Sequence, residues 1–247
     1  MNSLQIRFLG SGDAFGSGGR LQPCILVQSL ECRFLIDCGT SAQIALRRYA
    51  VDPNTIGIIL LSHLHGDHFG GLPFFILAGQ LVSKRTAPLV IAGPPGTRQK
   101  LDALMELMFP GSTAAQRSFA VEVVELAAGR RHLLGSIAVT PQPVIHTAAD
   151  QSFALRIECG GRVIAYSGDS EWTEALVTVG READLFIAEA YYYEKKIKNH
   201  LDYRTLAANL DAIRPRRLIL THMSDDMLAH LDQIVGEWAA DGKTIEL

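Results

Sequence analysis

The sequence predicts an α/β protein with a four-layer αββα sandwich, in which two facing β-sheets lie between outer layers of helices. Three observations support this fold class: strand-like apolar runs open both halves of the 247-residue chain, helix-like segments are interleaved with them, and the middle is rich in strands. A doubly wound sheet would alternate strand and helix throughout, which this order does not. Because no Pro/Ser-rich linker or internal repeat interrupts the chain, we predict one domain over residues 1–247.

The first half of the chain begins with an apolar strand followed by a Gly-rich stretch, Gly10–Gly19. Runs rich in β-branched and aromatic residues predict strands over Leu4–Leu9, Cys24–Gln28, Cys32–Ile36, Ile56–Leu61 and Leu89–Ala92. Helices are predicted near Ser41–Tyr49, Leu72–Val82 and Gly96–Phe109. Pro110-Gly111 ends the last of these helices, since proline disrupts a helix interior.

The middle of the chain is strand-rich, and the tail returns to alternation. Strands are predicted over Val121–Leu126, Ser136–Gln142, Phe153–Glu158 and Arg162–Tyr166. The pair Gly160-Gly161 fits a two-residue hairpin turn between the last two. The predicted elements of the tail are a helix near Glu171–Val179, a strand Leu185–Ala188, a helix near Tyr203–Ile213, a strand Arg217–Leu220, a helix near Asp226–Ala239 and a last short strand.

Composition and charge limit the classes of function. Apolar residues make up 48% and charged residues 20% of the chain, which is ordinary for a globular protein and argues against disorder. The formal net charge of −3 argues against a broad basic face for nucleic acid. No apolar run is long enough to span a bilayer, and the N-terminus lacks a basic segment followed by an apolar one. We therefore expect a cytoplasmic protein that makes no membrane contact.

The four cysteines are Cys24, Cys32, Cys38 and Cys159, and none belongs to a C-x-x-C pair. Their spacing therefore indicates neither a structural zinc site nor a redox motif. We predict four reduced, mostly buried thiols, which is the usual state of cysteines in the cytoplasm.

The segment LLSHLHGDHFGG, residues 60–71, concentrates metal-ligating side chains directly after a predicted buried strand. His63 and His65 are two residues apart, so their rings point to one side of an extended segment. Asp67 and His68 follow a glycine that permits a tight turn, which lets the four groups converge. Imidazole and carboxylate suit Zn²⁺, Mn²⁺ or Fe²⁺, and these four groups exceed the needs of one open catalytic site. We therefore predict two adjacent metal ions.

The cluster is part of an ordered series of motifs that resembles the metallo-β-lactamase superfamily of hydrolases over nearly the whole chain. The family pattern is an early Asp after a strand, the HxHxDH loop, a later His, a later Asp and a final His. The motifs FLIDCGT, PVIHTAAD, AYSGDS and LILTHMS supply the members outside the loop, which are Asp37, His146, Asp169 and His222. The resemblance implies the αββα fold of that family and a metal-dependent hydrolase.

The resemblance also implies a role for each residue of the series. One metal would be held by His63, His65 and His146, and the other by Asp67, His68 and His222, with Asp169 bridging both. A bridging carboxylate lowers the repulsion between two cations, and a water between them would lose a proton near neutral pH and become the attacking hydroxide. We count Asp67 as a catalytic residue as well as a ligand. Asp37 would orient a ligand without binding metal. Zn²⁺ is the favoured metal, with Mn²⁺ or Fe²⁺ as alternatives.

Three local features resemble the phosphodiesterase branch of the superfamily, which includes ribonuclease Z and a bacterial phosphodiesterase for cyclic ribose phosphates. They are the opening FLGSGDAFGSGGR, the strand end LFIAEAYY with Glu189, and NHLDYRTLAANL with His200. In that branch the histidine lies beside the metals and the glutamate orients it. His200 could then stabilise phosphoryl oxygens or protonate the leaving alkoxide, with Glu189 raising its pKa. We therefore favour hydrolysis of a small anionic phosphodiester, cyclic ones included.

Other activities stay open at this stage. Bacterial ribonuclease Z inserts a tRNA-gripping arm between the motifs of His146 and Asp169, where residues 147–168 leave no room for it. Glyoxalase II adds C-terminal helices, for which residues 223–247 are too few. True β-lactamases commonly carry Cys at the position of Asp169. A tRNA 3′ endonuclease, a glyoxalase II-type thioesterase and a metal sensor without turnover therefore rank behind the phosphodiesterase.

The remaining features do not decide the function. The segment Lys84–Gly135 could form a lid, a subunit contact or ordinary core, and a homodimer is an open alternative. The exposed basic run before His200, Lys195, Lys196 and Lys198, could attract an anionic substrate or serve only as a solvated loop. His132 and His230 match no motif, and we place the first at the surface and the second on a helix face.

Overall fold

A computed structural model of the chain describes residues 3–148 and 150–247. The strands in this part of the chain are β1 (Gln5–Gly10), β2 (Cys24–Gln28), β3 (Arg33–Ile36), β4 (Ile58–Leu60), β5 (Leu89–Gly93), β6 (Val121–Glu125), β7 (His132–Leu134), β8 (Ile137–Val144), β9 (Ser152–Cys159), β10 (Arg162–Tyr166), β11 (Leu185–Glu189), β12 (Leu218–Thr221), β13 (Glu237–Trp238) and β14 (Thr244–Glu246). The α-helices are α1 (Ala42–Arg48), α2 (Gly66–Phe69), α3 (Leu72–Leu81), α4 (Thr97–Met108), α5 (Glu174–Gly180), α6 (Tyr203–Ala208), α7 (Leu210–Ile213) and α8 (Asp225–Leu228).

The strands form two seven-stranded sheets with matching architecture. The first sheet has the order β14-β1-β2-β3-β4-β5-β6 and the second the order β13-β12-β11-β10-β9-β8-β7. In each sheet one half is antiparallel and the other, β3 to β6 or β10 to β13, is parallel. The carboxyl ends of parallel strands meet at one edge, which is where open sheets place their binding sites.

The central core lies between the two sheets, and each sheet also packs against helices on its outer face. Side chains alternate along the strands: Phe34 and Ile36 of β3 enter the central core, whereas Leu35 faces the outer cluster with α1, α3 and α4. On the other side, Phe186 of β11 packs in a third cluster with residues of α5, α6 and α7. Helix, sheet, sheet and helix thus follow each other as four layers, and the predicted αββα sandwich is confirmed.

Most predicted elements are present, but the helix predicted near Asp226–Ala239 is wrong. Only its first turn is α-helical, as α8, and Gly236 with a φ of 116° leads the chain into β13. β13 pairs parallel with β12, so edge pairing in the second sheet overrides the helical spacing of the apolar residues. The helix predicted over Tyr203–Ile213 is split into α6 and α7 at Asn209. Two short elements of the structure, α2 and β7, were not predicted from the sequence.

The prediction of four reduced thiols is wrong for one pair. Cys32, beside the turn between β2 and β3, and Cys159, at the end of β9, are joined by a disulfide between the two sheets. Their sequence separation of 127 residues gave no local signal. Cys24 and Cys38 are free and buried, as predicted.

The segment Lys84–Gly135 contributes β5, α4, β6 and β7 to the sandwich. Leu101 and Met105 on the inner face of α4 are buried in the outer core of the first sheet. Leu107 on the same helix is 80% exposed. No helix of residues 3–148 and 150–247 combines the length and the apolar character that crossing a bilayer requires.

Leu155, on β9, is fully buried in the central core and tests how far the two-sheet packing determines stability. We expect Leu155→Ala to lower the free energy of unfolding by about 2–5 kcal/mol, because the cavity between the sheets cannot fully collapse. Leu133→Ala, on the edge strand β7 of the same sheet where the side chain is 71% exposed, should change it by about 0.5 kcal/mol or less. Urea unfolding measures both, and equal losses would contradict the packing described here.

Candidate metal centre

The residues of the HxHxDH segment are positioned by the end of β4 and the single turn of α2. His63 and His65 lie in the connection after β4, and α2 then places Asp67 and His68 one after the other. The turn is fixed by close backbone packing, since a Cβ added at Gly39 would lie 2.1 Å from the carbonyl oxygen of Asp67. The expected tight turn at Gly66 is therefore the first turn of a helix.

Three histidines form the first ligand cluster. His63 and His146 are buried, His65 is exposed, and one ring nitrogen of each lies within 4.8 Å of the others. The His146 Nε2 atom is 2.9 Å from the Nδ1 atom of His65. The ring planes of His63 and His146 meet at 78°, so the two rings do not stack and their nitrogens are free to face one point.

The second ligand cluster contains two carboxylates and two imidazoles. The His68 Nε2 atom lies 3.1 Å from Asp67 Oδ2 and 3.3 Å from Asp169 Oδ1. The His222 Nε2 atom lies 3.3 Å from Asp67 Oδ2 and 3.4 Å from Asp169 Oδ2. The same Asp169 Oδ2 atom is 4.0 Å from His63 Nε2 and 3.9 Å from His146 Nε2, so Asp169 lies between the two clusters.

Several buried polar atoms of these clusters make no hydrogen bond to the described residues. They include His63 Nε2, His68 Nε2 and Asp169 Oδ1. Buried polar atoms are rarely left without a partner, so their convergence at one point calls for a group that the protein itself does not supply. Imidazole nitrogen and carboxylate oxygen are the ligands of Zn²⁺, Mn²⁺ and Fe²⁺, so the two clusters fit a divalent cation each.

The electrostatics differ between the two clusters. Burial lowers the pKa of His63 well below its usual value, and the neighbouring imidazole of His68 lowers it further. Burial also lowers the pKa of His222, but the carboxylates around it outweigh this and raise it to about 10. His63 therefore offers a neutral imidazole, whereas the second cluster is a network of opposite charges.

The Asp37 carboxylate is placed to hold His68 rather than to reach the clusters. It is fully buried after β3, and its Oδ2 atom is 2.6 Å from His68 Nδ1. Ser62 donates to both Asp37 oxygens at 2.8 and 2.9 Å, and the Tyr166 hydroxyl donates to Oδ2 at 2.9 Å. Burial and the Asp37 carboxylate raise the pKa of Tyr166, which keeps it a donor. Neither Ser62 nor Tyr166 was predicted as a site residue, although each lies within a quoted motif.

Glu189 and His200 meet beside Asp169. Glu189 ends β11, is 1% exposed, and its Oε1 atom lies 2.5 Å from His200 Nδ1. Its other oxygen accepts the N–H groups of Ser170 and Leu201 at 2.9 and 3.3 Å. Burial lowers the pKa of His200, but Glu189 outweighs it and raises the pKa. Tyr191 stacks on the His200 ring with centroids 4.6 Å apart, a contact that sequence analysis did not predict.

The Gly-rich stretch after β1 forms one wall beside His222. His222 has a positive φ of 55°, a strained backbone for a non-glycine residue, and its N–H donates to the Ser11 carbonyl at 3.3 Å. Asp241 fixes this stretch, because its carboxylate accepts the N–H groups of Ser11 and Leu21 at 3.0 and 2.8 Å. The C-terminal β13–β14 connection thereby supports the position of His222.

The two histidines outside the motifs stay outside the clusters. His132 lies on β7, where its Nε2 atom accepts the Ala127 N–H at 3.0 Å. His230 follows α8 and stacks on Tyr193, with centroids 4.5 Å apart. Lys196, an exposed member of the basic run, lines a small cavity together with His200 and Trp172.

Fold and site together define a member of the metallo-β-lactamase superfamily, and comparisons with known proteins agree. A family model described as "Anti-Pycsar protein Apyc1" matches residues 4–237. The chain belongs to this Anti-Pycsar Apyc1 family.

Several known proteins resemble this chain over most of their length and of its own. Ribonuclease Z of Bacillus cereus (strain AH820) is 27% identical over 274 residues, which cover 90% of this chain and 89% of that protein. The short form of human tRNase Z is 28% identical with a TM-score of 0.77, covering 98% of each chain. The metallo-β-lactamase fold protein YhfI of Bacillus subtilis is 21% identical with a TM-score of 0.80, covering 99% of each chain. The chain is thus a metal-dependent hydrolase related to ribonuclease Z, as predicted.

Asp37→Asn tests whether the buried carboxylate orients His68 as a ligand. We expect the affinity for Zn²⁺ to fall about 10- to 100-fold, because an amide cannot accept from all the donors that surround Asp37. Tyr166→Phe, which removes one of those donors, should cause a smaller loss in the same direction. Competition with a fluorescent chelator measures both affinities. Parental zinc affinity in the Asp37→Asn variant would show that Asp37 does not contribute to metal binding.

Proposed function

We propose that this chain hydrolyses small phosphodiesters, cyclic ones included, with two divalent cations bound at the paired clusters. The supporting observation is that three buried atoms of the paired clusters, His63 Nε2, His68 Nε2 and Asp169 Oδ1, make no hydrogen bond to the described residues. The residues that would hold the cations are His63, His65 and His146 on one side and Asp67, His68 and His222 on the other, with Asp169 between them. Zn²⁺ is the favoured ion, and when bound the pair would supply Lewis-acid charge and an ionised water.

The Glu189–His200 pair gives this site a proton donor. Hydrolysis of a phosphodiester leaves an alkoxide, which needs a proton, and negative charge on the phosphoryl oxygens, which needs a cationic or hydrogen-bonding partner. Glu189 accepts from His200 Nδ1, which leaves Nε2 of the ring available for substrate. A raised pKa keeps His200 protonated to higher pH than an isolated imidazole. The protonated ring can donate a proton to the leaving alkoxide or stabilise the negative phosphoryl oxygens.

The surroundings of His200 favour an anionic substrate. Lys195, Lys196 and Lys198 are exposed in the loop that leads to His200, whereas the chain as a whole has a net charge of −3. Lys196 lines the same small cavity as His200, where a positive charge attracts a phosphate without making a broad nucleic-acid surface. This charge distribution supports a small substrate over a long polyanion.

The connection between His146 and Asp169 also favours a small substrate. Residues 152–166 of this stretch run through β9 and β10, both fully paired within the second sheet. In the described part of the connection, no arm projects from the sheet that could grip a tRNA.

Cleavage of precursor tRNA at its 3′ end is the second candidate. The observation in its favour is the 27% identity with ribonuclease Z of Bacillus cereus, which extends over 90% of this chain. The two candidates use the same ligand set and differ only in what approaches it, so the choice rests on direct measurement.

A substrate panel separates the candidates. The zinc-reconstituted chain should hydrolyse bis(p-nitrophenyl) phosphate, and should leave a glutathione thioester and a precursor tRNA uncleaved. Removal of the metal with a chelator should abolish the turnover, and added Zn²⁺ or Mn²⁺ should restore it. Cleavage of the tRNA at its 3′ end without phosphodiester turnover would replace the proposal with the second candidate, and turnover of the thioester alone would overturn both.

His200→Ala tests the proton donor. We expect kcat on the phosphodiester to fall about 100-fold or more, because the leaving group loses its acid. Glu189→Gln should reproduce most of this loss, and the double variant should be little worse than His200→Ala, since the two residues act as a pair. His132→Ala is the matched control on β7 and should match the parent. Turnover of His200→Ala within a few fold of the parent would exclude the assigned role.

A further inference from the structure

One residue outside the clusters, Glu171, ties together the loops that carry His146, Asp169 and His200. Its N–H donates to the Ile145 carbonyl at 2.8 Å, next to His146 in the chain. Its side-chain Oε1 atom accepts the Asn199 N–H at 2.9 Å, next to His200 in the chain. Glu171 itself follows Asp169 by two positions, so three separate loops meet at this half-buried residue, one through its backbone N–H and one through its side chain.

The backbone of Asn199 connects Glu171 to His146. The carbonyl oxygen of Asn199 lies 2.7 Å from the Nδ1 atom of His146, so one residue meets Glu171 through its N–H and His146 through its C=O. Asn199 has a φ of 72°, in the left-handed region that asparagine tolerates better than most residues. This backbone conformation has a local cost that the contacts on both sides of the residue offset.

The contact determines which nitrogen of His146 is available as a ligand. A carbonyl oxygen can only accept, so His146 Nδ1 carries the proton and Nε2 keeps its lone pair. Nε2 is the atom that lies 2.9 Å from His65 Nδ1 and 3.9 Å from Asp169 Oδ2, at the point where the first cluster converges. A partner on the second ring nitrogen is how proteins fix the tautomer of a ligating histidine.

We infer that Glu171 is a positioning residue which, through the backbone of Asn199, fixes the tautomer and orientation of His146 and the placement of His200. Glu171 contributes no atom to the ligand clusters, so it acts only through these two histidines. Because this role concerns the binding of a cation and the proton donor, it rests on the proposed function. It adds a residue to the site that none of the predicted motifs contains.

Three variants of the full chain test this role. Glu171→Ala removes the acceptor of the Asn199 N–H, and Glu171→Gln keeps an acceptor oxygen of similar reach. Glu194→Ala is the control, because it removes an equal charge from an exposed position in the loop that carries Asn199. We expect Glu171→Ala to weaken the binding of one of two zinc ions about 10-fold and to lower kcat by a similar factor with little change in KM. Glu171→Gln should recover most of both, and Glu194→Ala should match the parent.

Amide hydrogen exchange provides a readout that depends on neither zinc nor substrate. The Asn199 amide should exchange faster in Glu171→Ala than in the parent, at an unchanged melting temperature. Faster exchange with parental zinc affinity would overturn the positioning role, since the link would then exist without holding His146. Lowered zinc affinity in Glu171→Ala together with no phosphodiester turnover in the parent would support this role and reject the proposed substrate instead.

Discussion

The hydrogen bonds to the Asp37 carboxylate are the interactions on which the rest of the site depends. This group is fully buried between the sheets, where an unpaired carboxylate would be very costly. Its donors are Ser62 after β4, His68 on α2 and Tyr166 at the end of β10. The first sheet and the second are therefore joined through one charged group, and the orientation of a ligand follows from the same contacts that hold the sheets in register.

The arrangement of charge around the clusters follows from the same topology. The parallel strands of both sheets end at one edge, which brings carboxylates from β11 and from the loop after β10 against imidazoles from both halves of the chain. Burial lowers the pKa of both His63 and His222. The imidazole of His68 lowers the pKa of His63 further, whereas the carboxylates around His222 outweigh burial and raise its pKa. The two adjacent sets of candidate ligands thus differ in composition, since one contains only imidazoles and the other adds the carboxylates of Asp67 and Asp169.

The residues of the predicted ligand series could be selected from the sequence because histidine and aspartate at fixed short spacing have few structural explanations, and the structure brings them together. The sandwich was also predictable, since strand-like runs of apolar residues dominate both halves. The predictions that were wrong concern elements and contacts that depend on residues far apart in the sequence. The apolar spacing of Met227, Leu231 and Ile234 resembles a helix, but pairing of β13 with β12 overrides it. The link between Cys32 and Cys159 joins hairpins of opposite sheets, and only the fold brings them together. Ser62 and Tyr166 lie within two of the motifs, yet nothing local shows that they donate to one carboxylate.

The contacts that sequence analysis could not predict are largely those made by backbone groups. The carbonyls of Ser11 and Asn199 hold His222 and His146, and the N–H groups of Ser170 and Leu201 hold Glu189. Backbone groups are the same for every residue type, so no motif records them. The candidate ligands themselves follow a pattern that proteins with different activities share. Selection among substrates must therefore come from the segments beside these residues, which are the Gly-rich stretch at Ser11 and the loop that carries Lys196 and His200. Residues distant in sequence, Asp241 for the first segment and Glu171 and Glu189 for the second, fix both positions, so no local motif shows them.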